Sequence, residues 1–166
     1  YQTDALFAGN VFESKDYAGE LVLVSGPLGG SIAGDTSGLA GKMIILGAGP
    51  RNRGERERVL GWKPAGIIVP SAVPDSIWTQ IVNRTGRPLL RDPSLEAGSA
   101  MILAVRVAAL QPIVSRLGGG LSGAQAGAFR VTPLGGAQLH GHARVQGLQR
   151  GSAPHGGAIL PGPGAT

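Results

Sequence analysis

Four short aliphatic runs recur along the first two thirds of the chain. They are the segments 20–25, 42–47, 65–69 and 101–107, and most are bounded by glycine or proline. Runs of this length, rich in Val, Ile and Leu and closed by turn residues, are typical of buried β-strands. Aromatic residues make up only 4% of the chain. The sequence therefore predicts an aliphatic core built on strands.

Three further segments have the character of short helices. Residues 75–85 place apolar side chains at spacings of three and four, as one face of a helix requires. The segment 55–62 is a shorter helix that ends before Pro64, because proline disfavours helical backbone in the residue preceding it. Residues 108–117 are predicted to form a third helix in spite of Pro112.

The order strand, helix, strand over residues 42–69 predicts a parallel strand pair with a connecting helix. The whole pattern predicts an α+β fold: a small β-sandwich or open barrel of mixed strands, flanked by two or three short helices. The four aliphatic runs should be its central strands. Weaker strands are predicted at 129–131, 138–145 and 158–160, after a glycine-rich loop at 118–127.

Charge and composition limit the partners that this chain can have. A net charge of +5 would suit nucleic acid. However, the most basic segment, residues 51–58, alternates arginine with glutamate, and few aromatic residues are present to stack on bases. We therefore expect no nucleic-acid partner. No segment approaches the roughly 20 apolar residues of a membrane span, so we expect no membrane partner. Without cysteine, disulfides and thiolate zinc sites are excluded.

No complete catalytic or cofactor motif is present. Residues 47–49, Gly-Ala-Gly, follow a strand as in a dinucleotide fingerprint, but Asn52 stands where the third glycine should be. Pro50 also removes an amide from the loop that would hold phosphate. A plain turn and no cofactor are predicted. No Gly-x-Ser-x-Gly motif occurs, and Ser31 and Ser122 lie in glycine loops without a local His or Asp. We expect no catalytic residues and no enzyme activity of the chain itself.

The histidines are the only candidates for a metal site. His140 and His142 alternate along a predicted strand and share a face, so two imidazoles could reach one ion. A third ligand and a supporting acid would also be needed, and Glu96 is the last acidic residue of the chain. His155 is the remaining histidine. We interpret all three as surface residues and expect no metal site.

Two motifs in this order resemble the core of protease-associated (PA) domains. Residues 39–46 read Leu-Ala-Gly-Lys-Met-Ile-Ile-Leu, and after a charged helix residues 61–69 read Gly-Trp-Lys-Pro-Ala-Gly-Ile-Ile-Val. Residues 19–24 are similar to the strand that precedes this core where the domain is inserted in a zinc exopeptidase. Residues 152–162 resemble the segment that re-enters the catalytic domain in aminopeptidase-like and glutamate-carboxypeptidase-like zinc peptidases.

The resemblance implies one domain over residues 1–166. Its core covers about 19–117, followed by a glycine-rich loop and weak strands at 118–151 and a junction to a catalytic domain at 152–166. It implies a non-catalytic accessory domain of a secreted zinc exopeptidase, extracellular or periplasmic. The partners would be the catalytic peptidase domain of the same polypeptide and its peptide substrate. A free-standing protein-interaction module is the alternative, and a small enzyme with an unrecognised site is a third hypothesis.

In the resembling family, loops at the ends of the two core strands face the peptidase cleft. Here those loops are 49–53 and 70–74, which leave from the same edge if their strands are parallel. Guanidinium groups suit carboxylates of peptides. The candidate contact residues are Arg51, Asn52, Arg53 and Ser71. A competing interpretation pairs the two arginines with Glu55 and Glu57 at the start of the helix.

Three histidines without supporting carboxylates predict that the isolated chain holds no catalytic zinc. Elemental analysis of the purified chain after chelator treatment measures this, and we expect a zinc content near zero. Retention of about one chelator-resistant zinc ion per chain would contradict the prediction.

Overall fold

The computed structural model describes residues 4–7, 15–29, 34–85, 100–121 and 127–143. Its strands are β1 (Ala5–Phe7), β2 (Lys15–Ser25), β3 (Met43–Leu46), β4 (Gly66–Ser71), β5 (Met101–Arg106) and β6 (Arg130–Ala143). Its α-helices are α1 (Arg53–Gly61), α2 (Asp75–Thr85) and α3 (Val107–Arg116). A short 3₁₀ helix covers Ser37–Leu39.

The described strands form one mixed sheet in the order β1-β5-β4-β3-β2-β6. The four inner strands run parallel, and β1 and β6 pair antiparallel at the two edges. The predicted α+β class, with mixed strands and flanking helices, is confirmed. The four aliphatic runs are its central strands, and β3 and β4 are parallel neighbours joined by α1. The sequence analysis predicted a small β-sandwich or open barrel, whereas the described strands make a single sheet with helices on its faces.

Strand β3 lies at the centre of the core. Its residues Met43–Leu46 are at most 1% exposed, and because successive side chains point to opposite faces, both faces of the sheet must be covered. One face packs in a cluster with Leu110 and Val114 of α3. The other packs with Val59 of α1 and with Leu39 of the 3₁₀ helix.

Strand β2 begins at Lys15, five residues before the predicted strand 20–25, and β1 was not predicted from the sequence. The helices begin and end within two residues of their predicted bounds, and α3 contains Pro112. The weak strands predicted at 129–131 and 138–145 are a single strand, β6, paired along β2 with a bulge between Glu20 and Val22. The predicted strand at 158–160 and the junction at 152–162 lie outside the described residues.

Two helices end on residues in the left-handed region. Gly118 (φ 80°) follows α3, where its amide donates to the Ser115 carbonyl (3.1 Å) and the Gly119 amide donates to that of Val114 (2.9 Å). This pair of bonds is a Schellman cap. Lys63 (φ 55°) occupies the same position after α1, and among the described residues it is the only non-glycine residue with positive φ.

The two caps predict opposite changes in the free energy of unfolding for Lys63→Gly and Gly118→Ala. Lys63→Gly should raise the free energy of unfolding by about 0.5–1 kcal/mol, because glycine adopts positive φ without a Cβ penalty. Gly118→Ala should lower it by about 1 kcal/mol, since an added Cβ there meets nothing within 4 Å and only the backbone angle opposes it. Urea unfolding measures both. A loss of stability in Lys63→Gly would contradict the assigned cap.

Candidate functional site

The carboxyl edge of the parallel strands gathers the loops that the sequence singled out. Because β3 and β4 are parallel neighbours, the segments that follow them leave from the same edge. After β3, residues 47–52 lead into α1. Strand β4 continues through Ser71, so the second loop is residues 72–74, shorter than the 70–74 predicted. Strand β5, which is parallel to β4, passes directly into α3 at this edge.

A depression of about 170 Å³ lies at this edge. Its lining comes from the loop after β3, the end of β4, the start of α3 and the segment after α3: Gly47, Ala48, Gly49, Pro70, Ala72, Val107, Gln111 and Leu121. The lining side chains are small or aliphatic, apart from Gln111, whose amide donates to the Ser115 hydroxyl (2.9 Å). Pockets that enclose whole small-molecule ligands are typically ~300–1,000 Å³, so this depression suits one aliphatic side chain.

Close packing fixes the backbone of the loop beside the depression. The Gly47 amide donates to the Val24 carbonyl (2.7 Å), which ties the loop to β2. A Cβ at Gly49 would lie 3.0 Å from Cγ1 of Val69, so only glycine fits there without displacing its neighbour. The Gly-Ala-Gly segment is thus a packed turn.

Asn52 caps α1. Its Oδ1 accepts a hydrogen bond from the Glu55 amide (2.9 Å), as N-cap side chains do. The Glu55 carboxylate in turn accepts from the Arg51 amide (2.7 Å). The predicted contact residue Asn52 therefore stabilises the start of α1, and its capping bond sets the direction in which the loop enters the helix.

The two predicted arginines have different surroundings. The Arg53 guanidinium donates to the Glu57 carboxylate (2.6 Å) one helical turn away. That hydrogen bond, together with the charge of Glu57, raises the pKa of Arg53. Arg51 binds Glu55 through its backbone amide only, and among the described residues its exposed guanidinium has no ion pair. The competing interpretation is thus correct for Arg53, and Arg51 keeps a charge directed at solvent.

Ser71 is placed beside a different arginine. The register of β4 and β5 pairs it with Arg106, which the sequence analysis did not single out. The Arg106 guanidinium forms an ion pair with Asp75 at the start of α2 and lies 5.9 Å from the ring centroid of Trp78. These contacts join the starts of α2 and α3, with Arg106 as the N-cap residue of α3. Pairing of adjacent strand ends is non-local, so no sequence pattern indicated this contact.

The two described histidines, His140 and His142, lie away from this edge. Both are exposed residues of β6, and Nδ1 of His142 lies 2.5 Å from Oδ1 of Asp16 on β2. His155 is outside the described residues. Within the described ranges, no group of three or more His, Asp or Glu side chains is arranged to hold a metal.

Comparison of the chain with protein-family models, with curated proteins and with solved structures finds no match in any of the three. Among the described helices, none is long and apolar enough to span a membrane.

The structural task of Asn52 can be measured. Asn52→Ala should lower the free energy of unfolding by about 0.5–2 kcal/mol, because the Glu55 amide loses its partner. Asn52→Asp keeps an acceptor at the cap and serves as the control, with stability near that of the parent chain. Urea unfolding of all three proteins decides the question. Equal stability of Asn52→Ala and the parent would show that the cap contributes nothing.

Proposed function

We propose that this chain is a non-catalytic protease-associated domain of a secreted zinc exopeptidase, and that its carboxyl edge contacts the peptidase domain or its peptide substrate. One observation carries the proposal. The two motifs on which the resemblance depends are β3 and β4, adjacent parallel strands in the centre of the sheet. Their following loops open on the edge that holds the depression.

The loops of the carboxyl edge are held in place by the sheet and the helices, which favours a contact role for this edge. Loops presented by a packed sheet lose little conformational entropy when they bind. Here the first loop is tied to β2 through the Gly47 amide and to α1 through the Asn52 cap. At the end of the second loop, the Arg106–Asp75 ion pair joins the start of α2 to the start of α3.

The chemistry of the edge favours a peptide as the contacted group. The depression accepts one aliphatic side chain, and Gly49 on its lining is two residues from Arg51, at most about 7 Å along the backbone. A guanidinium at that distance can bind a terminal carboxylate or an acidic side chain in a bidentate manner. An aliphatic residue beside a carboxylate is what the edge is suited to receive.

Zinc-ligand motifs elsewhere in the gene product would distinguish an accessory domain of a peptidase from a free-standing interaction module. A zinc exopeptidase needs metal-bridging carboxylates and histidines, so a His-x-Asp motif and a Glu-Glu pair should follow the chain in its gene. A gene product without these motifs would favour the interaction module.

Substitution at the edge should weaken peptide binding by the intact parent enzyme. With Arg51→Ala and Arg53→Ala combined, we expect a roughly tenfold rise in KM for peptides, the loss that follows removal of one charge-assisted hydrogen bond. The kcat should stay unchanged, because the contact is made equally in the ground state and the transition state. Steady-state kinetics with neutral and acidic peptides measures both constants.

The matched control is Arg84→Ala combined with Arg116→Ala. Both arginines are exposed and lie in the last turns of α2 and α3, which start at the carboxyl edge and run away from it. Their removal changes the net charge equally and should leave KM unaltered. A KM equal to that of the parent in the Arg51→Ala, Arg53→Ala variant would contradict contact at the edge. Equal rises of KM in both double variants would also contradict it, because they would indicate a general effect of charge.

A further inference from the structure

The strand pair β2 and β6 extends beyond the rest of the sheet. Strand β3 pairs with β2 only from Leu21 onward, whereas β6 pairs with β2 from Lys15. Residues 15–20 of β2 and 138–143 of β6 therefore form a two-stranded ribbon. Tyr17 on one face of the ribbon is buried in the core cluster, so the opposite face is the one that meets solvent.

That solvent face carries the two described histidines and the carboxylates of Asp16 and Glu20, of which Glu20 forms an ion pair with Lys42. Asp16 is registered opposite His142, and Ala18 opposite His140. Since alternate residues of a strand share a face, these four side chains lie together. All four residues are exposed.

The contact with Asp16 determines which ring nitrogen of His142 carries the proton. An ionised carboxylate only accepts hydrogen bonds, so the Nδ1 that lies 2.5 Å from Asp16 Oδ1 carries the proton. In the neutral ring, Nε2 is then the nitrogen with a free lone pair. A histidine whose second nitrogen donates to a carboxylate is the arrangement that protein metal sites use to orient a ligand and raise its basicity.

We propose that His140 and His142 bind one divalent transition-metal ion through their Nε2 atoms, with Asp16 as the positioning residue for His142. Alternate residues of a strand are about 7 Å apart, a separation that two imidazoles can close onto one ion at ~2.0–2.1 Å each. Imidazole ligands select Zn²⁺, Ni²⁺ or Cu²⁺ over Mg²⁺ and Ca²⁺. The other coordination positions are filled by water.

Two protein ligands make a labile site. A structural zinc site has four protein ligands and a catalytic site has three, so an ion on this ribbon exchanges readily and is removed by a chelator. This labile site replaces the sequence-based expectation of no metal site at the histidines, and it is distinct from the chelator-resistant catalytic zinc that the chain is expected to lack. It does not depend on a peptidase parent.

Calorimetric titration of the purified chain with Ni²⁺ tests the proposal. We expect one ion per chain, and at least a tenfold loss of affinity in His140→Ala and in His142→Ala. Asp16→Asn should weaken binding by about tenfold, as removal of an orienting carboxylate does. His155→Ala, which removes a histidine from outside the ribbon, is the matched control and should bind like the parent chain. Mg²⁺ should give no binding heat.

A parent chain that binds no Ni²⁺, or ribbon variants that bind as tightly as His155→Ala, would overturn the site. Unchanged affinity in Asp16→Asn would overturn the positioning role of Asp16. Proton–nitrogen correlation spectra of the imidazoles with Zn²⁺ give a second readout that needs no substitution. Zinc should shift Nε2 of both ribbon histidines while Nδ1 of His142 stays protonated, and a shift at Nδ1 instead would contradict the assigned geometry.

Discussion

Burial of β3 on both faces is the constraint on which the rest of the structure depends. All four of its residues are almost completely inaccessible, so neither face of the sheet can be left to solvent. The segment before β3, the segment between β3 and β4 and the segment after β5 therefore pass over the sheet, and they place the 3₁₀ helix and α1 on one face and α3 on the other. Parallel strands joined in this way direct their carboxyl ends to one edge.

The carboxyl edge follows from that arrangement, and its detail is set by a few polar contacts. The Asn52 cap and the Arg106–Asp75 pair fix the starts of the three helices. Arg51 directs its charge outward from the first loop. A small apolar depression, fixed loops and an exposed guanidinium are the features on which the proposed contact with a peptide or a partner domain is based.

The sequence predicted strands and helices that local residue patterns mark, and it missed contacts between residues far apart in the chain. Strands β3 and β4 were recognisable because glycine and proline bound short runs of aliphatic residues. The continuity of β6 was not, because Pro133 and the positive-φ glycines 135 and 136 interrupt its pattern and its register is fixed by pairing with β2. In the same way, a search for acids near the histidines in the sequence finds none, whereas the fold brings Asp16 to His142 from 126 residues away.

Hydrogen exchange followed by mass spectrometry tests the proposal that the carboxyl edge is a contact surface. The isolated chain is compared with the same chain within its full polypeptide, with and without peptide substrate. The account predicts slower amide exchange in residues 47–53 and 72–74 of the full polypeptide, with residues 138–143 of β6 unchanged. Equal exchange of both loops in the two proteins, or slowing confined to β6, would contradict it.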